Sequence, residues 1–186
     1  MKFRPFLLIA FLAVVSANIA AQNKINPNHL SVRTAASVDR STFTTSSATS
    51  SAALMSLEQV TFQLINAERS RAGLPALKWN DKVAKVARLH SQNMADRNFF
   101  SHKGSDGSMV DARADRSGLG NWQAIGENIA FMQGFQNPAA MAVEKWLLSA
   151  SHKNNMMSPQ WSDSAIGVAM TEDGKCYFTQ VFLLKN

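Results

Sequence analysis

Apolar positions fall along this chain in distinct regimes: an unbroken run near the start, helical spacing through the middle and two-residue alternation near the end. Leu57, Val60, Leu64 and Ile65 recur at helical spacing, and Ser56 with Gln59 forms a capping-box pattern. This predicts a helix from Leu57 to about Arg71, stopped at Gly73. Leu74 to Trp79 reads as a short extended linker carrying Pro75. Asn80 is placed to cap a second helix with Val83, Val86, Ala87, His90 and Met94 on one stripe, ending near Asp96 to Asn98. Residues 109–117 predict a short helix, and residues 122–131 an irregular extended stretch around Gly126-Glu127-Asn128. Asn137-Pro138 starts another helix, a cap residue followed by proline at the first helical position, running to about Ser149. Ser164 to Met170 and Lys175 to Leu184 alternate as strands, with Asp173-Gly174 as the hairpin signal between them. The last strand is apolar on both faces, with Tyr177, Thr179 and Val181 on one and Cys176, Phe178 and Phe182 on the other. A strand covered on both faces implies helices on each side of a sheet.

The front of the chain reads differently. Lys2 and Arg4 precede Phe6 to Val15, an uncharged apolar run too short to cross a bilayer as a helix but suited to a signal peptide. Residues 1–21 are expected to be that signal, cleaved after Ala17 or Ala21; the alternative is a retained interfacial anchor. No Cys follows the run, which excludes a lipid-modified form, so the expected location is secreted or periplasmic, with no stable membrane insertion after cleavage. Residues 22–55 read as a disordered Ser/Thr-rich tether: 12 of the 23 residues from Thr34 to Ser56 are Ser or Thr, too few apolar groups to offset ordering entropy. An O-glycosylated or wall-threading stalk is the other reading of that composition. Residues 56–186 remain as the globular domain.

Composition narrows the chemistry. The single Cys176 cannot form an intrachain disulfide, which excludes a cysteine-rich scaffold and a Cys-ligated zinc site. The net charge of +6 falls to +2 from residue 57 onward, 14 basic against 12 acidic residues, with no basic run. Nucleic acid is therefore not an expected partner.

The domain carries an ordered series of short motifs. They are Leu64-Ile65-Asn66-Ala67-Glu68-Arg69, Ala87 to Ala95 around His90, Phe100-Ser101-His102, Gly126-Glu127-Asn128-Ile129-Ala130, Trp146 to Ser149 with Ser151-His152-Lys153-Asn154-Asn155, and Tyr177 to Phe182. In this order and spacing they resemble a bacterial, disulfide-free member of the CAP superfamily of cysteine-rich secretory, antigen 5 and pathogenesis-related proteins. The resemblance spans residues 57–186 and implies an α+β fold: a three-layer α-β-α sandwich around a mainly antiparallel sheet.

It also implies a cleft. Family members carry two His and two Glu there, in some cases binding a divalent metal. His102 and Glu127 match two of those positions, and Ser149 and Tyr177 replace the other two, so these four are the expected cleft-lining residues. Asn128, Trp146 and Asn155 are expected to be structural. A metal needs three or four protein ligands, and His102 with Glu127 supplies two. A zinc ion held by this pair is therefore expected to be weak, unless His152 joins it. His152 either faces the cleft or staples the loop after the helix, and the second is the reading taken here. His90 reads as a buried, hydrogen-bonded core histidine, and His29 lies in the tether. A Glu beside an imidazole orients the ring as in a general base, yet hydrolysis also needs a nucleophile. Ser149 has no nucleophile-elbow sequence around it. Activities within the family differ too much for the fold to select one; the expectation taken is a monomeric, non-enzymatic protein binding a lipid, peptide, cell-wall component or envelope protein. The alternative is a metal-assisted hydrolase of peptide or cell-wall material.

Overall fold

The first helix, α1, runs from Ser41 to Arg71 in the computed structural model, which describes residues 41–186. The expected signal peptide and the tether up to residue 40 lie outside the described residues. Residues 41–55 were expected in the tether but belong to α1. No Pro or Gly interrupts Ser41 to Arg71. Once Leu57, Phe62 and Ile65 nucleate the helix against the core, each added residue costs only propagation. Leu54 packs on the same core, and the Ser56–Gln59 pattern lies inside the helix and caps nothing.

A two-residue strand β1 (Lys78–Trp79) leads into α2 (Asp81–Arg97). The Asn80 side chain accepts hydrogen bonds from the Lys82 and Val83 amides, and Asn98, at φ 49°, closes the far end in a left-handed turn. The short α3 (Val110–Arg116) follows, then β2 (Trp122–Gln133). β2 is a full strand rather than the irregular stretch expected: it pairs from Trp122↔Lys185 to Gln133↔Lys175, with one register shift between Trp122 and Ala124. Gly126 keeps the strand close to Trp161, since a Cβ there would lie 3.0 Å from the indole. The helix α4 (Pro138–Leu148) starts at Asn137, whose side chain accepts from the Ala140 amide. Ser149 is extended and ends it, and a separate short helix, α5 (Ala150–Met157), begins directly after. The strands β3 (Asp163–Met170) and β4 (Lys175–Lys185) form the expected hairpin.

The sheet order is β1-β3-β4-β2, with β1 parallel to β3 and the other pairs antiparallel. It is thus mixed and mainly antiparallel. α1 and α4 cover one face: Phe62, Ile65 and Trp146 meet Met132, Cys176, Phe178 and Phe182. α2 covers the other, where Val83 and Val86 meet Val181 and Leu183, and Met94 meets Tyr177. The two-sided apolar pattern of β4 therefore produces three layers. α2 lies almost on the sheet at Gly167, where a Cβ would come within 2.1 Å of the Arg88 amide nitrogen. Glu58 of α1, buried, takes a bidentate bond from Arg88 and one from the Val168 amide, tying three elements together. On the outer edge of β2, the Trp146 indole donates to Ile129 O at 2.9 Å and Asn155 donates to Glu127 O at 3.2 Å.

Candidate functional site

Four elements and one loop bring charge to a single point. Glu127 stands mid-strand on β2, Arg113 on α3, His90 on α2 and His152 on α5, while His102 lies in the loop between α2 and α3. That loop is held at several places. Asn93 bonds Ser105 through both its amide atoms, at 2.9 and 3.0 Å. Asp106 accepts from the Ser108 hydroxyl and amide, which holds its carboxyl down at about 2. Gly107 supplies a left-handed turn at φ 83°.

His102 Nδ1 lies 2.8 Å from Glu127 Oε1, and Arg113 Nη2 lies 2.5 Å from Glu127 Oε2. The Arg113 guanidinium also donates through Nη1 to His102 O at 3.0 Å and Ser108 O at 2.7 Å. One buried arginine thus binds both the carboxylate and the loop that carries the imidazole. With a permanent cation on its other oxygen, Glu127 is an acceptor, so His102 Nδ1 carries the proton and donates. In neutral His102, Nε2 is then an open acceptor. The Glu127 side chain is only 4% exposed, whereas His102 is 42% exposed: the carboxylate is withdrawn and the imidazole is presented.

His90 is fully buried, its Nε2 3.0 Å from Ser101 O, as the core reading expected. The same nitrogen lies 3.9 Å from Glu127 Oε1. Burial pushes the His90 pKa down; Glu127 pulls the other way, but Arg113 beside it offsets that pull. The net direction is downward because the ring is dry and its carboxylate neighbour already carries a cation.

A pocket of about 450 Å³ opens over His102, lined by Phe100, Ser101, Lys103, Met109, Ile129 and His152. Phe100 and Met109 are half exposed at its rim. His152 therefore faces the cleft rather than stapling a loop, because extended Ser149 ends α4 and α5 turns the ring toward His102, the ring centroids 6.4 Å apart. Burial, reinforced by His102, lowers the His152 pKa.

Ser149 and Tyr177 do not line this pocket. Ser149 Oγ is 3.3 Å from Ser151 Oγ at the α4–α5 junction. Tyr177 is buried against Phe131 and the Met94 end of α2. It shares a sheet face with Glu127 but sits opposite Phe131, further along the strand than the cleft. Asn128 is fully buried, donates to His152 O at 3.0 Å and accepts from Asn155.

The metal expectation meets Arg113. A divalent ion on Glu127 would sit against a fixed guanidinium. His102 Nδ1 is committed to the carboxylate, and His90 Nε2 donates to Ser101 O and offers no lone pair. The residues present do not fit a metal at Glu127; the open His102 Nε2 and the neighbouring His152 supply at most two donors, short of the three or four that zinc needs, and among the described residues no three His, Cys, Asp or Glu side chains form a metal-binding group. Sequence reasoning missed Arg113, one of several charges in Asp111-Ala112-Arg113-Ala114-Asp115-Arg116, where nothing marks the buried one. The apolar pair Phe99-Phe100 before a polar loop was the legible hint of a pocket wall: Phe99 packs beside Met94 and Tyr177, and Phe100 is exposed at the rim.

The α-β-α sandwich matches known proteins over most of its length. The chain belongs to the CAP family, the cysteine-rich secretory protein family, whose model matches residues 62–182. It is 36% identical over 145 residues to the uncharacterized protein YkwD of Bacillus subtilis, covering 77% of this chain and 52% of that one. It is 35% identical over 127 residues to the uncharacterized membrane protein YlbC of the same organism, covering 68% and 34%. This chain thus spans about half, or less, of these relatives' length. Among solved structures, an extracellular SCP-domain protein of Bacillus anthracis aligns with TM-score 0.60 and 34% identity over 70% of this chain and 41% of that one. An outer surface protein of Borrelia burgdorferi, at 20% identity and TM-score 0.62 over 69% and 92%, shares the fold.

Proposed function

We propose that this is an exported CAP-domain protein that binds a ligand at the cell envelope, without turnover, through the cleft over His102 and Glu127. The observation that carries the reading is the division of labour in the cleft. Glu127 is buried and paired on both oxygens, while His102 and the half-exposed Phe100 and Met109 face outward. A donor on the ligand meets His102 Nε2 and its apolar part meets Phe100, Met109 and Ile129, the mixed lining usual in ligand pockets. A lipid, a peptide or a cell-wall fragment has this character. Export rests on the apolar run Phe6 to Val15 and on the extracellular Bacillus anthracis relative. No helix among the described residues is long and apolar enough to cross a membrane.

The rival reading, a hydrolase, draws on the held Nδ1 and open Nε2 of His102, the posture of a general base. Against it stands Ser149, which lies off the pocket beside Ser151.

The test is an NMR titration of the labelled protein with solubilised cell-wall fragments and with short-chain lipid, followed by mass analysis of the added material. Binding should move amide signals of residues 100–109, 127–129 and 152 and leave the added molecules intact. Shifts elsewhere would remove the cleft assignment, and cleaved products lost in His102→Ala would establish the hydrolase.

A further inference from the structure

We infer that Arg113 is a built-in replacement for a metal ion: it supplies the positive charge on Glu127 and fixes His102, so that this cleft works without zinc. In the family members that bind a metal, the resemblance implies two His and two Glu around it, and only a weak site is expected here. Here two of those positions are Ser149 and Tyr177, and both lie outside the pocket. A fixed cation sits instead on the Glu127 oxygen that His102 leaves free. The Arg113 side chain is 9% exposed, and its Nη2 reaches Glu127 Oε2 at 2.5 Å. Its Nη1 is 3.0 Å from His102 O and 2.7 Å from Ser108 O. These contacts do what a metal does for such a cleft: neutralise a buried carboxylate, orient an imidazole and pin the loop bearing it. A guanidinium cannot lose its charge at any working pH and cannot be removed by a chelator. The cleft is therefore preformed, and its ligand is recognised by hydrogen bonding to His102 rather than by coordination. This inference holds whether or not the cleft binds an envelope ligand.

The test measures zinc affinity of the full chain by calorimetry at neutral pH, for the wild type, Arg113→Lys, Arg113→Met and Arg113→Met/His102→Ala. The wild type is expected to show no saturable cleft site tighter than about 1 mM. Arg113→Lys, which keeps a cation there, should stay equally refractory. Arg113→Met frees the carboxylate and should bind zinc at least about tenfold more tightly, a gain of roughly 1.4 kcal/mol that the double variant loses. Micromolar wild-type binding lost in His102→Ala would overturn the inference, as would a natively folded Arg113→Met with no gain. Should Arg113→Met fail to fold, nitrogen-15 spectra of the wild-type histidines decide. A His102 that keeps its proton on Nδ1 and ignores millimolar zinc supports the replacement; one that shifts or broadens with zinc refutes it.

Discussion

At the residue scale, three histidines within one small region have different fates, and burial decides among them. His102 is presented, His152 half-covered, and His90 sealed with Nε2 on Ser101 O and Nδ1 without a partner. The sign of the resulting pH dependence is fixed. The folded His90 pKa lies below its unfolded value of about 6.5, so protonation favours the unfolded chain. The contribution of neutral His90 is complete above about pH 6.5, erodes as pH falls towards the depressed folded value and changes no further below it. His152 acts in the same direction. Thermal melts between pH 7.5 and 5 should therefore fall with acidification. His90→Gln is expected to melt lower at pH 7.5, by roughly 1–2 kcal/mol for the altered buried hydrogen bond. Its melting temperature should also change less across that range. A slope equal to wild type would mean that other groups carry the dependence.

Elements differ in how far the sequence alone announces them. α2 was legible from cap to cap: Asn80 at one end, the Val83-to-Met94 stripe between, and Asn98 at the other. The hairpin of β3 and β4 was equally plain, because alternation and Asp173-Gly174 agree. α5 was not legible, since only Met156 of its residues is buried and no periodic stripe exists to read. Its position nonetheless matters most for the site: it aims His152 at His102 and lets Asn155 hold β2. β2 itself read as irregular because glycine and asparagine are poor strand formers, yet its long pairing with β4 overrides that preference. The site was half legible: His102 and Glu127 came from motif order, whereas Arg113 acts through tertiary contacts that no local pattern encodes. The join of α4 to β2 offers a direct measurement. Trp146→Phe keeps most of the buried ring but strands Ile129 O, and denaturant unfolding should show a loss of roughly 1–3 kcal/mol. No loss would mean that water reaches the carbonyl in place of the indole.

At the scale of the whole molecule, the folded part is longer than composition suggested, because α1 extends from Ser41 through the Ser/Thr-rich stretch and brings Leu54 onto the core. A chain starting at Leu57 discards that packing and should melt below one starting at Ser41 by about 3–5 °C, corresponding to roughly 1 kcal/mol. Equal melts would show that helix before Leu57 adds nothing. The molecule also lacks any disulfide, its one thiol being buried on β4 with its pKa pushed up by burial, so its integrity rests on packing and hydrogen bonds. That dependence gives the bonds on the outer edge of β2 a second meaning. A twelve-residue strand at a sheet margin is a template on which another chain can add a strand, and oligomers or fibrils can grow from it. Here the Trp146 indole and the Asn155 amide occupy two of the outward carbonyls, and the opposite margin, β1, is only two residues long. The two side chains that tie α4 and α5 to β2 thus also keep the sheet from recruiting copies of itself, and losing them should lower colloidal solubility as well as stability.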